Sequence, residues 1–322
     1  MMGSRNGPAT GRWSLDRVLM AAALGLGIAI ALAQMLGRTP LAFDAGAYWA
    51  AQPGALYQSD WGLSSGRSPF LYSPAFADAL IPFRLLPERL FTGLWELGLV
   101  AVLVVTIRGW ALLALVAAAP FLAFGIGQPL TLIASDIAHG NIHVLLGAVA
   151  VFGLRWPALW SIVLLSKVTP GVGLVWFVAR REWRNLGIAL GVTAAIAAVS
   201  FAYRSSDWAD WFAFLFASRD HVFPLWTVPI PLPVRLAMSA ALVWWGGRTD
   251  RPWTVPIAVG WAIPVPYPTM LAAMVCALAC VQPAARPDDR SGGHLRSRIR
   301  PGTRRRHRPG ENTSWPPRTV SR

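Results

Sequence analysis

From Val18 to Gly37 the chain runs for 20 residues without an ionisable side chain, bracketed by Arg17 and Arg38. Comparable runs recur along the sequence, separated by single arginines and prolines. A run of about 20 apolar residues is long enough to cross a bilayer as a helix. The composition agrees. Apolar residues make up 55% of the 322 and charged residues 14%, against roughly a quarter charged in soluble domains. Mean hydropathy is +0.46. The pattern predicts an all-α, polytopic membrane protein.

A net charge of +14 resembles a nucleic-acid signal until it is located. Between Arg286 and Arg322 stand eleven arginines against Asp288, Asp289 and Glu311, a local excess of +8. This stretch is rich in Pro, Gly and Ser and too poor in apolar residues to offset its ordering entropy. It reads as a disordered basic cytoplasmic tail (283–322) touching anionic lipid, in keeping with the positive-inside rule. No recognition module accompanies it, so nucleic acid is not expected as a partner. Cys276 and Cys280 are four residues apart on one helix face, which suits packing and gives neither a disulfide framework nor metal-ligand spacing. The "ALAQ" at 31–34 resembles a peptidase site, but the run before it is long enough to span. An uncleaved first helix after a short cytoplasmic segment (1–17) is expected.

Arginines and Pro/Gly breaks set the topology. Helix 18–37 leads outward to a polar-aromatic outer loop, 38–72. Helices follow at 73–86 and 90–107, and the ambiguous 109–138 suggests two short crossings. Segments 141–154, 156–166 and 170–179 are short for full spans, as is tolerated where helices line a cavity rather than face lipid. Helix 184–203 leads to an amphipathic outer segment at 204–221, expected to rest its aromatic side in the interface. Helices near 232–246, 253–265 and 268–282 complete about twelve crossings, with both termini cytoplasmic. Trp110, Trp156, Trp183 and Trp253 sit at helix ends as an interfacial belt requires.

This topology gathers polar groups on one side. The only lysine among 28 arginines, Lys167 in "LLSKVTPGVG", falls at the outer ends of two short helices. It reads either as a snorkelling side chain or as a point charge for a phosphate, beside amides of a helix restarting at Thr169-Pro170. On the same side lies "HGNIH" (139–143), with His139, Asn141 and His143; His139 and Asp136 also read as a structural pair. Asp44 in "FDAGAYWA" reads first as the cap of a helix start and, if burial and neighbours tune it, as a general base. Glu96, mid-helix, reads as a buried structural carboxylate. No acidic metal cluster is visible, and neither a metal nor another cofactor is expected.

Four segments resemble glycosyltransferase family 87, polyprenol-phosphate-mannose-dependent mannosyltransferases of GT-C membrane fold. They are "FDAGAYWAA" with "ALY" at 55–57, "FLYSPAFADALIPFRLLP" (70–87), "GNIHVLL" (140–146) and "LLSKVTPGVGLVWFVARREWR" (164–184). Ser73 stands where the family often has Pro, and Asn141 and His143 where it often has Gln and Asn. The resemblance spans roughly residues 15–282. It implies a GT-C-like catalytic domain over 18–282 and inverting sugar transfer from a polyprenyl-phosphate donor to a glycolipid or glycan acceptor outside the membrane. Asp44 is then the base, and Lys167, with His143 and Asn141, holds the donor phosphate. Tyr48, Tyr57, Tyr72 and His139 line the substrate.

In a cysteine-free background, Asp60→Cys should react with an impermeant thiol reagent added outside cells, and Arg300→Cys should not. The reverse pattern would invert the topology.

Overall fold

In the computed structural model, the described residues are 14–37, 43–57, 70–116, 133–218, 230–263, 276 and 279–280. All fall in one unit, Met1–Gln282; the basic tail, Asp60 and most of the segment after residue 263 lie outside them. Every regular element among them is helical, in agreement with the apolar patterning.

Among the described residues, three helices are long and apolar enough to cross a membrane: α1 (Leu15–Met35), α4 (Glu88–Ile107) and α10 (Trp183–Tyr203). The short segments expected between 141 and 179 are also present, but partly wound as 3-10 turns. Helix α7 is His143–Phe152; a turn at Pro157–Leu159 opens into α8 (Trp160–Ser166), and a turn at Thr169–Leu174 opens into α9 (Val175–Ala179). Pro157 and Pro170 each sit in the first turn of their 3-10 segment, where the missing N–H would have had no partner. The remaining helices are α2 (Phe43–Ala50), α3 (Pro74–Leu80), α5 (Trp110–Val116), α6 (Ile133–Ala138), α11 (Ser205–Ser218), α12 (Leu232–Thr249) and α13 (Thr254–Trp261). The amphipathic stretch expected at 204–221 corresponds to α11.

Helix α4 is the hub. It packs along α1 on one side and against α2 and α7 on the other. The α1–α4 contact is made by small residues. A Cβ on Gly27 would lie 2.7 Å from the Val100 side chain, and one on Gly93 would lie 2.8 Å from the Ala31 carbonyl oxygen. Apolar burial drives little between helices in lipid, so such close backbone approach is how they gain dispersion contacts. Glu96 confirms its structural reading: it is fully buried between the same two helices and accepts a 2.9 Å bond from Gln34 Nε2.

The second half folds around Trp160, which is fully buried. Gly153 and Gly173 form its niche; a Cβ at Gly173 would overlap the indole at 2.1 Å. Helices α7, α8, α12 and α13 close over this ring with Phe177, Val243 and Val259 in one core. Trp110, Trp156 and Trp183 are 50%, 51% and 60% exposed, as residues of an interfacial belt would be.

Gly93→Leu should overpack the α1–α4 seam and lower stability by about 1–3 kcal/mol, read as a reduced thermal midpoint of the purified protein in detergent. The same change at Gly98, where a Cβ meets nothing within 4 Å, should be close to neutral.

Candidate functional site

The site is built from the crossing of the 139–141 turn over the start of α2. Gly140 takes φ +74°, and a Cβ there would lie 2.4 Å from the Ala45 Cβ. Only glycine fits both the left-handed backbone and that approach. The turn reaches α2 through the His139 carbonyl, which accepts the amide of Asp44 at 2.8 Å. Trp95 on α4 steadies the turn by donating Nε1–H to the Gly140 carbonyl at 2.7 Å.

This crossing sets Asn141 against Asp44. Asn141 Nδ2 donates to Asp44 Oδ2 at 2.7 Å. The carboxylate therefore has a fixed direction while the residue stays partly exposed.

His143, two residues on and at the start of α7, is buried. Its Nδ1 lies 2.8 Å from Asp136 Oδ1, and its Nε2 lies 2.8 Å from Lys167 Nζ. An ammonium is donor only and an ionised carboxylate is acceptor only. The chain thus runs one way: Lys167 donates to Nε2, and Nδ1–H donates to Asp136. Asp136 thereby fixes the imidazole tautomer. The charges of both Asp44 and Asp136 bear on Lys167.

Lys167 leaves the end of α8 in extended backbone, φ −136° and ψ 111°. Its ammonium also lies 5.9 Å from the Tyr72 ring centroid. The segment after it is a 3-10 turn of six residues rather than the start of an α-helix.

The tyrosines join the same wall. Tyr48 and Tyr72 share a 2.8 Å hydroxyl–hydroxyl bond, and their rings meet edge to face. Tyr57 donates to the Tyr72 carbonyl at 2.5 Å. Burial, followed by the field of Asp207, raises the Tyr57 hydroxyl above its ordinary range, so it remains a donor. Ser73, where the resemblance led us to expect proline, makes bonds that proline lacks. Its Oγ and N both donate to the Leu165 carbonyl, at 2.5 and 3.3 Å, and its Oγ accepts from Phe76 N. Residues 72–73 are thereby clipped to the end of α8, two residues before Lys167.

Asp44–Asn141 and Asp136–His143–Lys167 are thus two hydrogen-bonded groups joined through the chain at 141–143, with the Tyr72 ring beside Lys167. Tyr48 and Tyr57 support Tyr72 from behind. His139 contributes its backbone carbonyl, while its side chain is exposed. Asp136 is the site residue whose role the sequence left open; its seven-residue separation from His143 across a turn was the signal available. Among the described residues no three of His, Cys, Asp and Glu gather as a metal group.

A second polar knot lies at the other edge of the aromatic wall. Arg204 pairs with Asp78 and, at 3.3 Å, with Asp207, which accepts the Gly54 amide at 3.0 Å. It ties the loop after α2 to α3, α10 and α11. Helix α11 therefore does more than rest in an interface. Its Trp208 and Trp211 are buried against Ala75 and Leu165, and Phe216 is left 71% exposed.

Comparison with known proteins places this geometry in context. The sequence profile of glycosyltransferase family 87 matches residues 70–293. A polyprenol-phosphate-mannose-dependent alpha-(1-2)-phosphatidylinositol pentamannoside mannosyltransferase of Mycolicibacterium smegmatis is 28% identical over 189 residues. That alignment covers 54% of this chain and 45% of the relative, so the chain matches under half of that protein's length. No solved structure matches significantly.

Asp136→Leu and His143→Leu should each lower the thermal midpoint, because each strands a buried polar partner. The double variant should lose less than the sum of the two. A double-mutant cycle should give a coupling above about 1 kcal/mol; additive losses would show that the pair is not coupled.

Proposed function

The chain belongs to glycosyltransferase family 87, and from that premise we propose that it is a membrane mannosyltransferase using a polyprenyl-phosphate-linked sugar. The acceptor in this reading is a glycolipid or glycan hydroxyl on the outer side of the cell membrane, and the bundle is of GT-C type with about twelve crossings. The observation that carries the reading is the pairing of one directed carboxylate with one buried-side ammonium across a shared polar wall. Such a pair has the two charges this reaction needs.

The chemistry is a single displacement. The acceptor oxygen attacks the anomeric carbon from the face opposite the phosphate. The new C–O bond forms as the bond to the phosphate oxygen breaks, and the configuration inverts. Asp44 takes the acceptor's proton, which the Asn141 bond orients it to do. The leaving group departs as a polyprenyl phosphate anion, so it calls for positive charge and not for an acid. Lys167 supplies that charge. Its compact ammonium suits a phosphate oxygen as a point contact, and removal from water strengthens the attraction.

His143 serves this step indirectly. Both ring nitrogens are engaged, so it holds Lys167 in place and leaves the other ammonium protons for the donor phosphate. Tyr72, backed by Tyr48 and Tyr57, and Asn141 shape the sugar side of the wall. The relative's printed donor, polyprenol-phosphate-mannose, favours mannose as the sugar transferred.

The test is transfer by the purified protein from labelled polyprenyl-phosphate mannose, with release of polyprenyl phosphate as readout. Asp44→Asn should cut turnover by roughly 10²-fold or more and leave donor binding nearly unchanged. Lys167→Ala should weaken donor binding as well as turnover, and Lys167→Arg should not restore it. Full activity of Asp44→Asn would remove this mechanism; release from a glucose or arabinose donor alone would reassign the sugar.

A further inference from the structure

The turn at Thr169–Leu174 and helix α9 form one rod that leaves Lys167 and ends at Arg180. At about 2.0 Å per residue in the 3-10 part and 1.5 Å in the α part, the rod is roughly 20 Å long. Its far end is therefore a different face of the bundle from the candidate site. There α9 stops against the last turn of α12. Gly247 permits the contact, since a Cβ at that position would lie 2.8 Å from the Ala179 Cβ. Beside it lies a shallow, open cavity of about 410 Å³ lined by Ala179, Arg180, Arg181, Gly247 and Arg248. Its volume is in the range of small-ligand sites, roughly 300–1,000 Å³.

The charge of this cavity is not balanced by its surroundings. The neighbouring acids, Glu182 and Asp250, both pair with Arg180, each at 2.7 Å. Arg181 and Arg248 have no acid within ion-pair range among the described residues. Capping of helix ends accounts for part of the cluster: Arg248 Nη1 donates to the Ala179 carbonyl at 3.5 Å. It does not account for Arg181, which makes no side-chain hydrogen bond among the described residues and holds φ +59°. A residue with a Cβ seldom adopts that backbone. Among the described residues, two of the three non-glycine residues with positive φ, Arg181 and Asp250, stand at this rim.

The exposed aromatic residues around the cavity identify what reaches it. Trp183 is 60% exposed, and Trp244 and Trp245 are each 48% exposed, all within a few residues of the lining arginines. Exposed indoles beside helix ends mark the level of lipid headgroups, and basic pockets between membrane helices suit headgroup phosphates. We propose that this cavity binds the phosphate of an anionic phospholipid in the leaflet remote from Lys167. Arg181 and Arg248 are its principal ligands, through charge-assisted hydrogen bonds that guanidinium groups direct well. The inference depends on the fold alone and stands or falls independently of the catalytic reading.

The experiment uses the full chain in nanodiscs of equal parts phosphatidylglycerol and phosphatidylcholine, with co-purifying lipid counted by native mass spectrometry. The wild-type chain should retain phosphatidylglycerol in preference, and Arg181→Gln/Arg248→Gln should lower that retention about tenfold, the effect of about 1.4 kcal/mol. The control is Arg184→Gln/Arg251→Gln, which removes the same charge from neighbouring positions that do not line the cavity; it should retain the lipid. Equal loss in the two double variants would show diffuse surface attraction and overturn the site. In phosphatidylcholine discs, inorganic phosphate should not raise the thermal midpoint; a rise matching that from phosphatidylglycerol would make free phosphate the ligand and overturn the lipid assignment. If the first double variant does not fold, exposed Arg181→Gln alone is compared with Arg184→Gln, and equal retention overturns the proposal.

Discussion

The polar end of this bundle depends on one backbone approach, the turn at 139–141 laid across the first residues of α2. The His139 carbonyl takes the Asp44 amide, and Gly140 leaves no side chain between the two segments. Everything that gives the site its geometry follows from that crossing. It brings Asn141 to the Asp44 carboxylate, begins α7 at His143, and so aims the imidazole at Lys167. A larger residue at Gly140 would separate α2 from α7 and with them the carboxylate from the ammonium. Main chain thus fixes how α2 meets the turn, and the side chains of Asn141 and His143 extend that placement to the carboxylate and the ammonium.

Much of the fold was legible because helical runs in an apolar chain leave few alternatives. The starts of α3, α7, α10 and α12 fall within about two residues of the positions that arginines and prolines mark, within the usual uncertainty of helix ends. Winding was less legible. The segments at 157–159 and 169–174 are 3-10 turns, a choice set by packing around Trp160 that hydropathy does not encode. Helix α11 reads as amphipathic, yet which aromatic residues face inward depends on the partner surface of Ala75 and Leu165.

The site divides in the same way. Asp44, Lys167 and the "HGNIH" turn stand out in the sequence because each is polar in apolar surroundings. Their connections do not. By sequence alone Asp136 reads as a partner of His139, its neighbour three residues on. The structure shows it bound to His143 at the start of the next helix, across the turn at Gly140 that stands between them. Ser73 likewise looked like a departure from a proline, and its purpose shows only when Leu165, 92 residues away, is beside it.

Lys167 has a consequence for how the site can be watched. The chain carries 28 arginines and this one lysine, so among its side chains the site holds the sole primary amine. Guanidinium groups keep their proton at ordinary pH and ignore mild acylating reagents. An amine-directed tag therefore marks the candidate site and, apart from a free chain terminus, nothing else. The rate at which the tag attaches becomes a direct gauge of how open the polar wall is and of whether a ligand is lodged against it.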